Sequence, residues 1–429
     1  MKKALRIACV ILSAGVFLIC AAGCIEQKSP DEYGYVMLIG VDEGKMKPFH
    51  VSMLLQRGAD DDEGDTAGPL IAAECENLFE AVSLLESGLP FSLTLSRTSA
   101  IVISEAVASG GKAEELLDVS LGIVFIRYHA NLITAHGRAD AFLRRLQSGL
   151  NKNLTKLEKG FVEFSEETGY VPVVTLAQFY DLAWSGAGDV IVPLGAKEFA
   201  DEGEARPAKE KAGGMANGTP GDRNAGTIGA LAEEGVIYAV DLLGEDTFLP
   251  GYMTREDGLT GGMMGSAVFK GTRMVGVLNG THTQALLMAT GHFRHGRMHI
   301  PLPDGKKISV MFTGKGKPAT TLLLYDEPLA SFKIDIHAAI EQPAGVASYS
   351  RQELRRGIEG YLEGLLREIF SACKAAGADV FSLGKAAVVQ FDDARRWEAY
   401  DWEGAYTKTR AKFTVDAQIV FDFTRSRVE

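Results

Sequence analysis

Between residues 30 and 198, short apolar runs take turns with stretches of helical spacing. Tyr35–Asp42 and His50–Gln56 flank a polar turn, Glu43-Gly44-Lys45-Met46-Lys47, and predict a β-hairpin. Leu78, Phe79, Val82 and Leu85 recur at helical spacing, with Asn77 placed to cap the helix and Gly88 to stop it. Strands are expected at Ala100–Ile103, Ala130–Ala135 and Val190–Leu194, and helices at Ala113–Leu117, Ala139–Leu146 and Thr175–Trp184. Strands and helices in alternation predict an N-terminal mixed sheet-helix domain over 24–198.

The pattern breaks at residue 199. EARPAKEKAGGMANGTPGDRNAGTIG, within 199–235, is rich in Gly, Ala and charge and almost free of large apolar side chains. Such a stretch buries too little surface to offset its ordering entropy, so 199–260 is expected to be a flexible insertion followed by a connecting strand around Gly235–Leu243. From Gly265 onward the chain is strand-rich, at Ser266–Lys270, Met274–Leu278, Ile308–Thr313, Thr320–Tyr325 and Phe332–Ile340. One long helix interrupts it, with Ser350 and Glu353 at capping-box spacing and an apolar stripe of Leu354, Ile358, Tyr361, Leu365 and Ile369. A last alternating strand runs through Thr407–Thr424. The expected class is α+β and multi-domain. Its second unit, 261–429, is an antiparallel sheet packed on the long helix.

The first 24 residues are of another kind. Lys2, Lys3 and Arg6 precede an uncharged apolar run from Ile7, and Ala21-Ala22-Gly23-Cys24 follows. Positive charge, a short apolar run and small residues at its exit make a secretory signal over 1–23. Ending on Cys24, it predicts a lipoprotein whose mature chain starts there, anchored by a diacylglyceryl group on the exported face of a membrane. Net charge is −12, with no long basic block, which speaks against nucleic acid as a partner. Cys75 and Cys373 are the two cysteines left after the signal and Cys24, too few for a disulfide scaffold, and are expected as buried thiols.

Candidate chemistry is sparse. His292, His295 and His299, with His282 upstream, could gather on one helical face, but HFRHGRMH also carries two arginines and a glycine. A solvated basic loop is the expectation there, with no metal site. Ser371-Ala372-Cys373-Lys374 matches Ser-x-x-Lys but lacks the Lys-Thr-Gly and Ser-Asp-Asn partners of that chemistry. Gly384-Lys385 lacks the spacing of a phosphate loop. No catalytic residue and no cofactor is expected.

Several segments resemble a known family. Gly265-Ser266-Ala267-Val268-Phe269-Lys270, then Met274-Val275-Gly276 and Leu278-Asn279-Gly280, lead into a helix carrying Thr283-Gln284 and Leu286-Leu287. Gly377-Ala378-Asp379-Val380-Phe381 follows the long helix, with Gly384 three places on and Trp397 and Trp402 beyond. Gly40-Val41-Asp42, the helix–strand pair over 78–104 and the run from Thr175-Leu176 to Val192-Pro193-Leu194 fit in the first half. Together these resemble the Ger(x)C lipoproteins, the C subunits of bacterial spore germinant receptors. The chain departs from the family where Ile25-Glu26 follows the lipid cysteine, where His282 precedes Thr283, and in the length of 199–260. The resemblance implies an inner spore membrane location, assembly with integral-membrane A and B type subunits, and no enzymatic step. The alternative is a lipid-anchored solute-binding protein of a membrane transporter. Such proteins pair two α/β lobes around a cleft, which the antiparallel second half disfavours.

Overall fold

The computed structural model describes residues 32–56, 67–115, 126–148, 154–195, 197–198, 240–242, 252–253, 262–302, 304–341 and 349–421. The signal, Cys24 and the 199–235 insertion lie outside the described residues. The first part of the chain forms β1 (Tyr33–Glu43), β2 (Phe49–Gln56), β3 (Ala67–Cys75), α1 (Leu78–Glu86), β4 (Ser92–Thr94), β5 (Ala100–Ser104), α2 (Glu105–Ser109), β6 (Asn131–Ala135), α3 (Ala139–Ser148), α4 (Leu154–Thr168), α5 (Leu176–Ser185) and β7 (Ile191–Gly195). Short strands β8 (Lys197–Glu198), β9 (Val240–Leu242) and β10 (Tyr252–Met253) follow. The rest forms β11 (Met263–Lys270), β12 (Arg273–Leu278), α6 (Gly280–Thr290), β13 (His295–Pro301), β14 (Lys307–Gly314), β15 (Ala319–Leu323), β16 (Leu329–Ile340), α7 (Arg351–Ala375), α8 (Leu383–Val388), α9 (Ala394–Glu398), α10 (Trp402–Lys408) and β17 (Arg410–Phe421).

The first sheet runs β3-β2-β1-β5-β6-β7-β11-β12-β9, with β4 beside β1. β1 and β2 form the hairpin that the pattern around 43–47 predicts, with Glu43 opposite Phe49. β1, β5, β6 and β7 run parallel, so their connections cross over the faces and bury both. Ile101 and Ile103 of β5 therefore enter one apolar cluster, with Phe179 and Leu78, while Ala100 and Val102 enter another, with Phe142 and Leu143. Local signals set the helices, at Asn77 as expected and at Thr175 through a cap that the sequence reading did not name. The Asn77 side chain accepts from the Glu80 N–H, and Thr175 and Gln178 make a reciprocal capping box.

β11 pairs antiparallel with β7, so the chain after residue 261 first completes the sheet of the first half. Alternation then gives this seam two cores. Ala267 and Phe269 face the cluster of Phe179, whereas Val268 and Ile191 face the cluster of the second sheet. α6 lies between, with ten of its eleven residues buried, as expected of a helix walled on every side.

The second sheet runs β13-β14-β16-β15 antiparallel. β17, however, lies parallel to β16 along its whole length, from Leu329 opposite Arg410 to Ile340 opposite Phe421. The antiparallel expectation for this half therefore fails at its last strand. A parallel neighbour needs a long crossover, and α7 is that crossover: β16, α7 and β17 form a β-α-β unit. α7 has the reciprocal Ser350–Glu353 capping box and buries Leu354, Ile358, Leu362, Leu366 and Ile369, with Tyr361 and Leu365 flanking them half-buried. Burying each of these leucines and isoleucines contributes roughly 1.5–3 kcal/mol. The same helix closes the outer edge of β17. Glu363 accepts from the Val415 N–H at 3.2 Å, Glu359 accepts from the Ala417 N–H at 3.0 Å, and Arg351 donates to the Ile419 carbonyl. An edge satisfied in this way is a poor template for another strand. Among the described residues, no helix is long and apolar enough to cross a membrane.

Candidate functional site

The residues singled out by motif gather where the two sheets meet. α7 gives way at Gly377, whose φ of 71° lies in the left-handed region that glycine adopts without strain. The chain then turns through Ala378–Ser382 into α8. Asp379, 3% exposed, accepts from the backbone N–H groups of Leu383 at 2.9 Å and Gly384 at 2.7 Å. Asp189, just ahead of β7, grips the same turn from the first half. Its Oδ2 accepts from the Asp379 N–H and its Oδ1 from the Gly271 N–H, both at 2.7 Å, while its own N–H donates to the Asp379 carbonyl at 2.9 Å. A Cβ at Gly384 would stand 2.7 Å from the Ala187 carbonyl and 2.8 Å from Trp402 Nε1, so no larger residue fits without movement. Tyr406 donates to the Ala378 carbonyl at 2.9 Å, and Lys270 pairs with Glu403 beside it.

This arrangement buries the Asp379 carboxylate and leaves that of Asp189 beside it only partly exposed. Burial pushes Asp379 up to about 7, against the pull of the Gly384 and Leu383 N–H groups and with a further push from Asp189. Burial also raises Asp189, opposed by the N–H groups of Gly271 and Asp379. The Trp402 indole N–H faces Asp379 but stays short of hydrogen-bond geometry. Each carboxylate binds two backbone N–H groups, so the pair acts as a structural latch between chain segments 190 residues apart.

The other motif positions also serve seams. Gly265, at φ 77°, sits in the irregular register between Met263 and Ser266, where β11 bulges against β7. Ser266 and Thr283, both fully buried, share a 2.9 Å hydrogen bond that ties β11 to α6. Gln284 donates to the carbonyls of Thr168 and Arg297, fastening α6 to α4 and β13. Asn279 caps α6 through the His282 N–H. In the first half, Asp42 is 1% exposed and accepts from the N–H groups of Ala139 and Asp140, capping α3. Burial raises its pKa above the usual carboxylate range, while those N–H groups and Arg138 act the other way. A Cβ on Gly40 would come within 2.6 Å of Ser52 Oγ and 2.8 Å of Leu143, so glycine lets α3 lie close on β1.

The remaining candidates are scattered. His295 and His299 stand on the exposed face of β13, bonded to Thr313 and Ser309, so this stretch is an edge strand where a loop was expected. His282 is buried in α6 with Nδ1 on Asn279. Among the described residues, no group of three or more His, Cys, Asp or Glu side chains could hold a metal ion. Ser371 is exposed, while Lys374 turns away to donate to the Thr409 carbonyl. Cys75 and Cys373 are free, buried and in different clusters. Burial pushes the Cys75 thiol up to about 11 and Cys373 higher still, which keeps both inert. Asp189 escaped the sequence reading, because one acidic residue before an apolar strand carries no pattern. α4 escaped it too, although Leu154, Leu157, Phe161 and Phe164 stand at helical spacing.

Comparison with known proteins places these motifs. Residues 26–196 match the family model described as spore germination protein N-terminal domain. Residues 264–420 match the one described as spore germination B3/GerAC like, C-terminal. The chain belongs to the Ger(x)C family. A solved structure, titled the crystal structure of the GerBC protein, is similar with a TM-score of 0.49 and 12% identity, over 89% of this chain and 96% of that one. No curated protein matches. Ger(x)C proteins are membrane-associated germinant-receptor subunits and are not known as enzymes. In this Ger(x)C chain the latch at Asp189 and Asp379 joins the two matched regions.

Proposed function

We propose that this chain is a lipid-anchored, non-enzymatic subunit of a spore germinant receptor, needed for nutrient-triggered germination. The observation that carries the reading is the order of features along the chain: a secretory signal ending at Cys24, then the two matched regions over 26–196 and 264–420. On this reading the signal over 1–23 is removed and Cys24 carries the diacylglyceryl anchor. Residues 24–198 and 261–429 are the two receptor units, with 199–260 between them. The protein lies on the exported face of the inner spore membrane, bound to integral-membrane A and B type subunits. Its role is assembly or signalling. The family membership and the scattered placement of the nucleophile and histidine candidates support that over a chemical step.

The test is deletion of the gene in its spore-forming host, followed by nutrient addition and loss of spore refractility, with pull-down of the tagged chain from spore membranes. Loss of one nutrient response, restored by the wild-type gene, together with recovery of A and B type subunits, is the expected result. Spores lacking this gene and its paralogues that still answer every nutrient would overturn the reading.

A further inference from the structure

A cleft of about 740 Å³ opens beside the latch, between α4 and α5 on one side and the α6–β13 turn, the β14–β15 loop and α8 on the other. That is within the size range of pockets that take small molecules. Its rim is crossed by two ion pairs with half-exposed or exposed partners, Lys385–Asp181 and Arg294–Glu166, both at 3.2 Å. They narrow the mouth and offset four of the charges around it. What they leave is the Lys317 ammonium and the Asp189 carboxylate, and the latter is already taken up by the N–H groups of Gly271 and Asp379. Lys317 has no ion-pair or hydrogen-bond partner among the described residues, and it packs on the turn at Gly291, next to His292. Burial, then the charges of Lys317 and Lys385, hold the His292 imidazole below its ordinary range. Ser382, on the same wall, has φ 53°, the one positive φ at a non-glycine residue among those described. Its hydroxyl has no hydrogen-bond partner among the described residues. Strained backbone presenting an unused donor at a cleft is a feature of binding sites. Val173, Leu182 and Val380 supply apolar wall.

We propose that this cleft binds a small organic anion, with its carboxylate among Lys317, Lys385 and His292 and its apolar body against Val173, Leu182 and Val380. An anion at that place meets the unpaired ammonium of Lys317, that of Lys385, which it would share with Asp181, the free Ser382 hydroxyl and the His292 ring at the mouth of the cleft, and charged donors make the stronger hydrogen bonds. The proposal goes beyond the receptor assignment and does not depend on it, because the cleft is a property of the folded chain alone.

The probe is 3-phenylpropionate, with 3-phenylpropionamide as its neutral counterpart. Each is dialysed at low salt and millimolar concentration against the full-length chain in non-ionic detergent, with a detergent-only chamber subtracted. The expected result is saturable retention of the carboxylate and none of the amide. Lys317→Gln, at an exposed position that no core depends on, should weaken retention about tenfold. Lys317→Arg should keep it, and Lys333→Gln, outside the cleft, should leave it unchanged. Equal retention of carboxylate and amide, absence of retention by the folded wild type, or a Lys317→Gln chain that binds as the wild type does would each overturn the proposal.

Discussion

Replacing Asp379 with Asn tests the latch through its dependence on pH. Asp379 titrates near 7 in the folded chain, against an ordinary value of 3.8. A carboxyl raised in the folded state contributes its full stabilisation below about pH 3.8, where both states hold the proton. Between 3.8 and 7 the folded chain keeps a proton that the unfolded chain has lost, so stability falls as pH rises. The fall amounts to about 4 kcal/mol by pH 7 and then levels off. Asn carries no charge and has no such slope. It can accept from one of the Leu383 and Gly384 N–H groups but turns N–H toward the other, at a cost of about 1–3 kcal/mol that does not vary with pH. Asp379→Asn is therefore expected to be the less stable protein near pH 4.5 and to match or exceed the wild type by pH 8. Denaturant unfolding of both full-length proteins in detergent, followed by the fluorescence of buried Trp402, measures the difference at each pH. Subtracting one profile from the other removes the other carboxylates. Asp189 lies beside Asp379, so the slope belongs to the pair, and Asp189→Asn should remove part of it. Parallel profiles across pH 4.5–8 would refute the reasoning, since they would mean that Asp379 is not a buried ionisable group in the folded chain.

Phe269 is fully buried and meets Phe179 edge-on at 5.3 Å, so Phe269→Ala should cost about 3–5 kcal/mol and Phe269→Asp should fail to fold, read by melting and soluble yield. Ser371→Ala and His295→Ala, at exposed positions, should leave the midpoint within about 0.5 kcal/mol and complement the deletion, and a folded variant that failed to complement would restore a chemical role. Gly384→Ala should lower stability by about 1–3 kcal/mol, because its Cβ meets the rigid Ala187 carbonyl at 2.7 Å; an unchanged melting point would show that the turn gives way. Cys24→Ser should yield uncleaved or released protein without lipid, and mass spectrometry finding an unmodified Cys24 in the mature membrane-bound wild type would end the anchoring proposal. Replacing Gly203–Gly226 by a short Gly/Ser linker should change the unfolding midpoint little, since closure entropy grows slowly with loop length, whereas a large drop would show that the segment packs.

What the amino-acid pattern made legible was local. Asn77 and Ser350 cap helices in the structure as read, because a cap needs only its own side chain and an N–H two or three residues away. The strands around Ile101, Val192 and Ile334 are where their apolar runs put them. Strand direction was not legible in the same way. The alternation of Phe413, Val415 and Ala417 reads identically whether β17 runs with β16 or against it, and only the crossover through α7 decides. The histidine stretch was misread for another reason. Gly296, Met298 and Ile300 are buried between exposed His295, Arg297 and His299, a period-two pattern that outranks histidine spacing. At the junction, Asp379 was visible through its motif, but Asp189 acts from 190 positions away. No window of sequence contains both partners.

The motif residues of this chain are joints more often than they are contacts for a ligand. Gly265 sits at the bulge of β11 against β7, alternation sends Phe269 into one core and Val268 into the other, Ser266 and Thr283 tie α6 to that strand, and Asp379 and Asp189 tie the turn after α7 to the segment that leads into β7. Sliding the halves apart would have to expose Val268 and Ile191 on one face or Phe269 on the other, a loss of several kcal/mol beyond the hydrogen bonds. Beside the cleft the halves also meet through two screened ion pairs, each contributing about 1 kcal/mol or less, and through the buried Gln284, which donates to the Thr168 and Arg297 carbonyls.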